Sequence, residues 1–97
     1  MTYRLHPEAA LEHEKQVGYY EERRPGLGKR YHSAVLQAIS KAVAAPHRFK
    51  IARAPDLRQI ALSGFPFTIV FREIHGIVQV LAVAHHRRHP DYWATRA

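Results

Sequence analysis

Phe65-Pro66-Phe67-Thr68-Ile69-Val70-Phe71-Arg72-Glu73-Ile74-His75-Gly76-Ile77-Val78-Gln79-Val80-Leu81-Ala82-Val83-Ala84 is the densest run of β-branched and aromatic residues in the chain, and it reads as two strands. In the first half, Phe67, Ile69 and Phe71 alternate with Thr68, Val70 and Arg72, the period of two that a half-buried strand requires. The second half, Ile77 to Ala84, is apolar on both faces apart from Gln79, which places it in the interior of a sheet. Glu73-Ile74-His75-Gly76 joins the halves, with Gly76 free to take the positive φ of a short hairpin. Directly afterwards the composition switches to His85-His86-Arg87-Arg88-His89-Pro90-Asp91-Tyr92-Trp93. A buried strand that runs out into cationic and aromatic residues puts the candidate functional site at its exit.

Upstream of the hairpin, Leu57 to Leu62 reads as extended and Ser63-Gly64 turns it into the first long strand, so three antiparallel strands come in succession. Phe49 to Pro55 is broken up by Lys50, Arg53 and Pro55 and reads as mostly irregular. Two helices precede it. The first runs from about Pro7 to Arg24, with Pro7 at the first helical position and Glu8 and Glu12 near the positive end of the dipole. Its apolar stripe is modest: Ala10, His13, Val17 and Tyr20. Pro25-Gly26-Leu27-Gly28 stops it, and a second helix from about Lys29 to Ala44 carries the better stripe of Tyr31, Val35, Ala38, Ile39, Ala42 and Val43. Tyr3 and Leu5 alternate with Thr2 and Arg4 as a short first strand, which must join the same sheet because an isolated strand of that length does not hold. The expected architecture is α+β, β-α-α-β-β-β, with a helical hairpin packed on a small antiparallel twisted sheet.

The chain of 97 residues is expected to be one domain, 1–97, with room for a single core and a limited capacity to bury its own apolar surface. No run of 18 or more apolar residues exists and the N-terminus lacks a secretory pattern, so the expected location is the cytoplasm, with no membrane partner. The absence of cysteine excludes disulfides, thiol chemistry and common structural zinc sites. The net charge of +7 is uneven. Residues 1–24 carry four basic against five acidic residues, a net of −1, and the remainder carries eleven against three, a net of +8. Such a field attracts polyanions or an acidic protein partner.

Several segments carry a family resemblance: His6-Pro7-Glu8-Ala9, Tyr19-Tyr20-Glu21, Pro25-Gly26-Leu27-Gly28, Leu62-Ser63-Gly64-Phe65-Pro66-Phe67 and Val83 through Trp93. Their order and spacing resemble the ParE/RelE superfamily of bacterial toxins, in its ParE-like, plasmid-stabilisation branch. The resemblance implies the β-α-α-β-β-β fold and the toxin of a type II toxin–antitoxin pair, held by a cognate antitoxin in a hetero-oligomer. It also implies one of two targets. ParE-like members inhibit DNA gyrase by binding, and RelE-like members are ribosome-dependent mRNA endoribonucleases. Cleavage needs a base, an acid and cations around the phosphorus. The terminal candidates for those roles are His85, His86, Arg87, Arg88 and Tyr92. The strand arginine of RelE-like chains is absent, and Phe65-Pro66-Phe67 has the ParE-like form, so gyrase inhibition without hydrolysis is favoured over the ribonuclease. A third reading is a basic accessory protein that binds nucleic acid directly.

The residues expected to contact the target are Arg58, Arg72, Arg87, Arg88, Tyr92, Trp93 and Arg96. Each has a plainer alternative: Arg58 and Arg72 as solvated or paired strand positions, Tyr92 and Trp93 as a plug that docks the C-terminal segment. His85, His86 and His89 match no standard zinc spacing, and His85 and His86 leave a strand on opposite faces, so no metal is expected. Nor is any cofactor. Tyr19 and Tyr20 are adjacent on a helix, which leaves one of them available to a partner.

Overall fold

The computed structural model describes residues 2–88 and 91–96. In chain order the elements are β1 (Thr2–Leu5), α1 (Pro7–Arg23), α2 (Leu27–Ala44), β2 (Ile51–Arg53), β3 (Leu57–Ala61), β4 (Phe67–Ile74) and β5 (Ile77–His85). The strands form one five-stranded sheet in the order β1-β5-β4-β3-β2. β3, β4 and β5 run antiparallel in succession, as the hairpin pattern predicts; β2 adds a fourth antiparallel strand, and β1 lies parallel to the outer edge of β5. The sheet is therefore mixed and not antiparallel throughout as expected: β1 is separated from β5 by the rest of the chain, so no hairpin turn imposes an antiparallel direction on it.

The hairpin turns through His75 and Gly76, both in the left-handed region at φ 52° and 80°. The second is a conformation for which glycine carries no Cβ penalty. β2, expected to be irregular, is a three-residue edge strand with a bulge and every residue exposed. Its short length, its bulge and Arg53 are what keep such an edge from recruiting other strands.

One irregularity in the central pair sets the geometry of everything downstream. Phe71 pairs with Val80 and Val70 with Ala82, so Leu81 is an extra residue opposite a continuous β4. This β-bulge shifts the side-chain alternation of β5 by one. Before it, Val78 and Val80 face the helices; after it, Val83 and His85 do, while Leu81, Ala82 and Ala84 face the other way.

Both faces are consequently covered. On the helix side Tyr31, Val35, Ala38, Ile39 and Ala42 of α2 pack on Phe67, Ile69, Phe71, Val78, Val80 and Val83. On the opposite face Leu57, Val70, Leu81 and Ala82 are roofed by Trp93 from the C-terminal segment. α1 lies more loosely. Its buried alanine is Ala9, whereas Ala10, assigned to the stripe by sequence, is exposed.

The helices are joined through Glu21. Its two carboxylate oxygens accept hydrogen bonds from the amides of Gly26 at 2.9 Å and Gly28 at 3.1 Å, supplying the cap that glycine cannot. α2 thus starts at Leu27, two residues earlier than the pattern predicts. A Cβ on Gly28 would lie 2.5 Å from the Val17 carbonyl oxygen. Gly28→Ala is expected to force the helices apart and to cost about 1–3 kcal/mol. An unchanged denaturation midpoint would mean that α1 and α2 do not approach so closely.

Between the same helices His13 Nε2 and His32 Nδ1 are hydrogen-bonded at 2.7 Å. Burial, and secondarily the neighbouring His32, push the pKa of His13 below its ordinary value of 6.5. The unfolded chain then binds more protons than the folded one below about pH 6.5, so this site's stabilisation is complete above that pH and falls as the pH drops. Denaturant melts should show the decline, and His13→Gln should flatten it. Equal pH slopes for the two proteins would exclude His13 as its source.

Candidate target-binding face

Because of the bulge at Leu81, the two histidines at the exit of β5 part company. His85 turns to the helix side, edge-on to Phe67 with ring centroids 4.9 Å apart. His86 turns to the opposite, open face, where its Nε2 lies 3.0 Å from Thr68 Oγ1. The chain then reverses: the Arg87 amide donates to His85 Nδ1 at 3.0 Å and the Arg88 amide to the His85 carbonyl at 3.0 Å. This tight turn projects Arg87 and Arg88 into solvent. Neither forms an ion pair among the described residues.

The segment that follows crosses the open face like a strap anchored at both edges. Asp91 pairs with Arg53 of β2 at 3.0 Å. Trp93 is buried on Leu57, Val70, Leu81 and Ala82. Arg96 reaches α1 at the far edge, where its Nη atoms donate to both oxygens of Glu12 at 2.9 and 2.8 Å and to the Leu81 carbonyl at 3.1 Å. Its side chain is only 11% exposed. Such a bidentate, partly buried pair is among the stronger polar contacts a small protein makes. The Arg96 pKa is raised, first by that bond to Glu12.

Tyr92 lies between two cations, with Arg88 3.9 Å and Arg96 5.0 Å from its ring centre. Its phenol is pushed up to about 12, chiefly by burial and then by the adjacent Glu12 carboxylate. At neutral pH it keeps its proton and presents a ring, with one face already taken by Arg88.

The seven residues expected to meet the target thus separate. Arg87, Arg88 and Tyr92 come together at the exit of β5. Trp93 roofs the second apolar cluster, and Arg96 clamps the strap. Arg58 is on the helix side, donating to the Phe49 carbonyl and lying 3.3 Å from His47 Nδ1. Arg72 is on the open face at the hairpin end, held by Gln79. Sequence reasoning missed Glu12 and Arg53. The Arg96–Glu12 bond spans 84 residues, and no local pattern announces such a pair.

His85 and His86, which diverge, share no third ligand, and His89 lies outside the described residues. Among the described residues no three of His, Cys, Asp and Glu come close enough to hold a metal ion. No helix among them is long and apolar enough to cross a membrane.

A groove runs beside this region, between α1 and the part of β5 that β1 is too short to cover. β1 ends opposite Val80. The groove comprises two hollows of about 460 and 380 Å³, into which α1 contributes Leu11, Gln16 and Tyr19 and β5 contributes Val83 and His85. Leu11 and Tyr19 are 54% and 50% exposed, whereas Tyr20 packs inward against Tyr31 and Phe65.

The sequence profile of the family described as ParE toxin of type II toxin-antitoxin system, parDE, matches residues 3–90. Among solved structures, the chain is similar to one described as the chromosomal ParDE TA system from P. aeruginosa. The two share 16% identity and a TM-score of 0.75, over 88% of this chain and 95% of that one. No curated protein sequence matches.

Proposed function

This chain belongs to the ParE toxins of type II toxin–antitoxin systems, and from that premise we propose that it arrests bacterial growth by binding DNA gyrase in the cytoplasm, without hydrolysis, and that a cognate antitoxin neutralises it. The observation that carries the reading is the pair Arg87 and Arg88, exposed at the end of β5 beside Tyr92 while the cations that anchor the strap, Arg53 and Arg96, are engaged. A surface of that kind recognises an anionic patch; it does not assemble a cleavage centre. Where phosphoryl transfer needs a strand cation beside the terminal histidines, Phe67 stands against His85. Arg58 is on the helix side, and Arg72 is four residues along β4 from Thr68, about 13 Å away.

The groove along α1 suits the antitoxin. The His86 amide donates to the Pro66 carbonyl just before β4, so alternation turns the main-chain groups of Val83 and His85 to the outer edge, where the Val83 N–H already donates to Glu12 Oε1 at 3.4 Å and the His85 carbonyl accepts from Arg88. An extended antitoxin segment can lie in the groove, bond the Val83 carbonyl and the His85 amide that remain, and cover Leu11 and Tyr19 with its apolar side chains. Acidic residues on it would meet the cations at the end of β5.

Expression of the chain alone should stop bacterial growth with DNA-damage signalling, and co-expression of its antitoxin should restore it. Abundant, harmless expression without a partner would contradict the toxin assignment. Arrest with loss of translation and no damage response would favour the ribonuclease.

A further inference from the structure

Away from the strap, at the hairpin end of the open face, Arg4, Gln79 and Arg72 stand in one row across β1, β5 and β4. Arg4 is in register with Gln79, and Gln79 with Arg72. At the usual strand spacing the two arginines are about 10 Å apart at Cα. Arg72 Nε donates to Gln79 Oε1 at 2.9 Å. That bond sets the plane of the guanidinium and leaves its two terminal nitrogens without a partner among the described residues. Neither arginine takes part in an ion pair there, and no carboxylate lines the space between them. That space is a pocket of about 260 Å³ walled by Arg4, Arg72, Gln79, Ile74, His75 and Ile77.

Two like charges held side by side over a concavity, with no internal counter-charge, are a standing electrostatic cost that an anion removes. An oriented guanidinium fork matches the tetrahedral oxygens of phosphate bidentately, and a second arginine from the opposite wall closes on the remaining ones. Ile74, Ile77 and the His75 ring supply an apolar flank beside the charge, which suits a sugar or base attached to the phosphate better than a bare carboxylate. We propose that this pocket is a phosphate-binding site that takes the phosphate of a nucleotide unit, either free or as a link in a nucleic-acid strand. It lies at the other end of the sheet from Arg87 and Arg88 and is independent of the gyrase assignment.

The purified protein tests this with three probes, using calorimetry for inorganic phosphate and adenosine monophosphate, and fluorescence anisotropy for a short labelled single-stranded oligonucleotide. Saturable binding of the mononucleotide identifies a free-nucleotide site; saturable, salt-dependent binding of the oligonucleotide alone identifies a backbone site. In either case Arg4→Gln and Arg72→Gln should each weaken binding about tenfold or more. Arg72→Lys should recover the charge but not the affinity, and Gln79→Leu should weaken binding by freeing Arg72. Lys41→Ala on α2 should change nothing, and Arg87→Ala/Arg88→Ala should leave mononucleotide binding intact. Circular dichroism melts establish that each variant is folded. No saturable binding of any probe, or binding that folded Arg4→Gln and Arg72→Gln proteins retain in full, would overturn the assignment.

Discussion

Growth arrest is expected to disappear in the Arg87→Ala/Arg88→Ala double variant while its thermal melt stays close to that of the wild type. Both side chains extend into solvent from the turn after β5, and exposed charges contribute only about 0–1 kcal/mol to stability. The contact of Arg88 with the Tyr92 ring, 3.9 Å from its centre, adds about 0.5–1 kcal/mol, still small for a folded domain. Function stands differently, because the two arginines are the cations of this region that remain available to a partner. Arg96→Ala supplies the contrast. It removes the bidentate partner of Glu12 and the donor to the Leu81 carbonyl, so about 1–3 kcal/mol is lost and any loss of toxicity comes with a lowered melt. A double variant that still arrests growth at wild-type protein levels would move the binding surface elsewhere.

Phe67→Ala and Leu81→Ala are each expected to destabilise the protein by about 2–5 kcal/mol, but from opposite sides of the sheet. Phe67 is 3% exposed and packs edge-on to Tyr31 and His85 on the helix side. Leu81 is fully buried under Trp93 on the open side. Because Trp93 is the only tryptophan, its emission tells the two sites apart: Leu81→Ala should shift it and Phe67→Ala should not. If both denaturation midpoints match the wild type, the strand register is off by one and the alternation is inverted.

The hairpin was legible because its signal is local: β-branched and aromatic residues alternate on one side of Gly76 and run unbroken on the other. The α2 stripe was legible for the same reason. Tyr31, Val35, Ala38, Ile39 and Ala42 are all buried, and Val43 partly so. The α1 stripe was legible at His13, Val17 and Tyr20, which turn toward the core, and slipped only at its first position, where Ala9 and not Ala10 is buried. The three-residue pairing of β2 depends on a neighbour and not on its own pattern. Nothing in Ile77 to Ala84 marks Leu81 as the bulge, since every candidate there is apolar, yet that one residue decides which histidine faces which way. The candidate site was half legible. The cluster at the end of β5 stood out by composition, but whether a cation is free or engaged depends on partners that no local pattern announces: Glu12 for Arg96, Asp91 for Arg53 and Gln79 for Arg72. Tyr92 and Trp93 look alike as a pair; only the fold separates the buried plug from the ring between two arginines.

The most direct test of the gyrase assignment uses purified components. The wild-type protein should inhibit supercoiling by DNA gyrase in a manner that Arg87→Ala/Arg88→Ala abolishes, and it should leave mRNA on programmed ribosomes uncut. Codon-positioned cleavage of ribosome-bound mRNA, lost in His85→Ala or His86→Ala, with supercoiling unaffected, would contradict it.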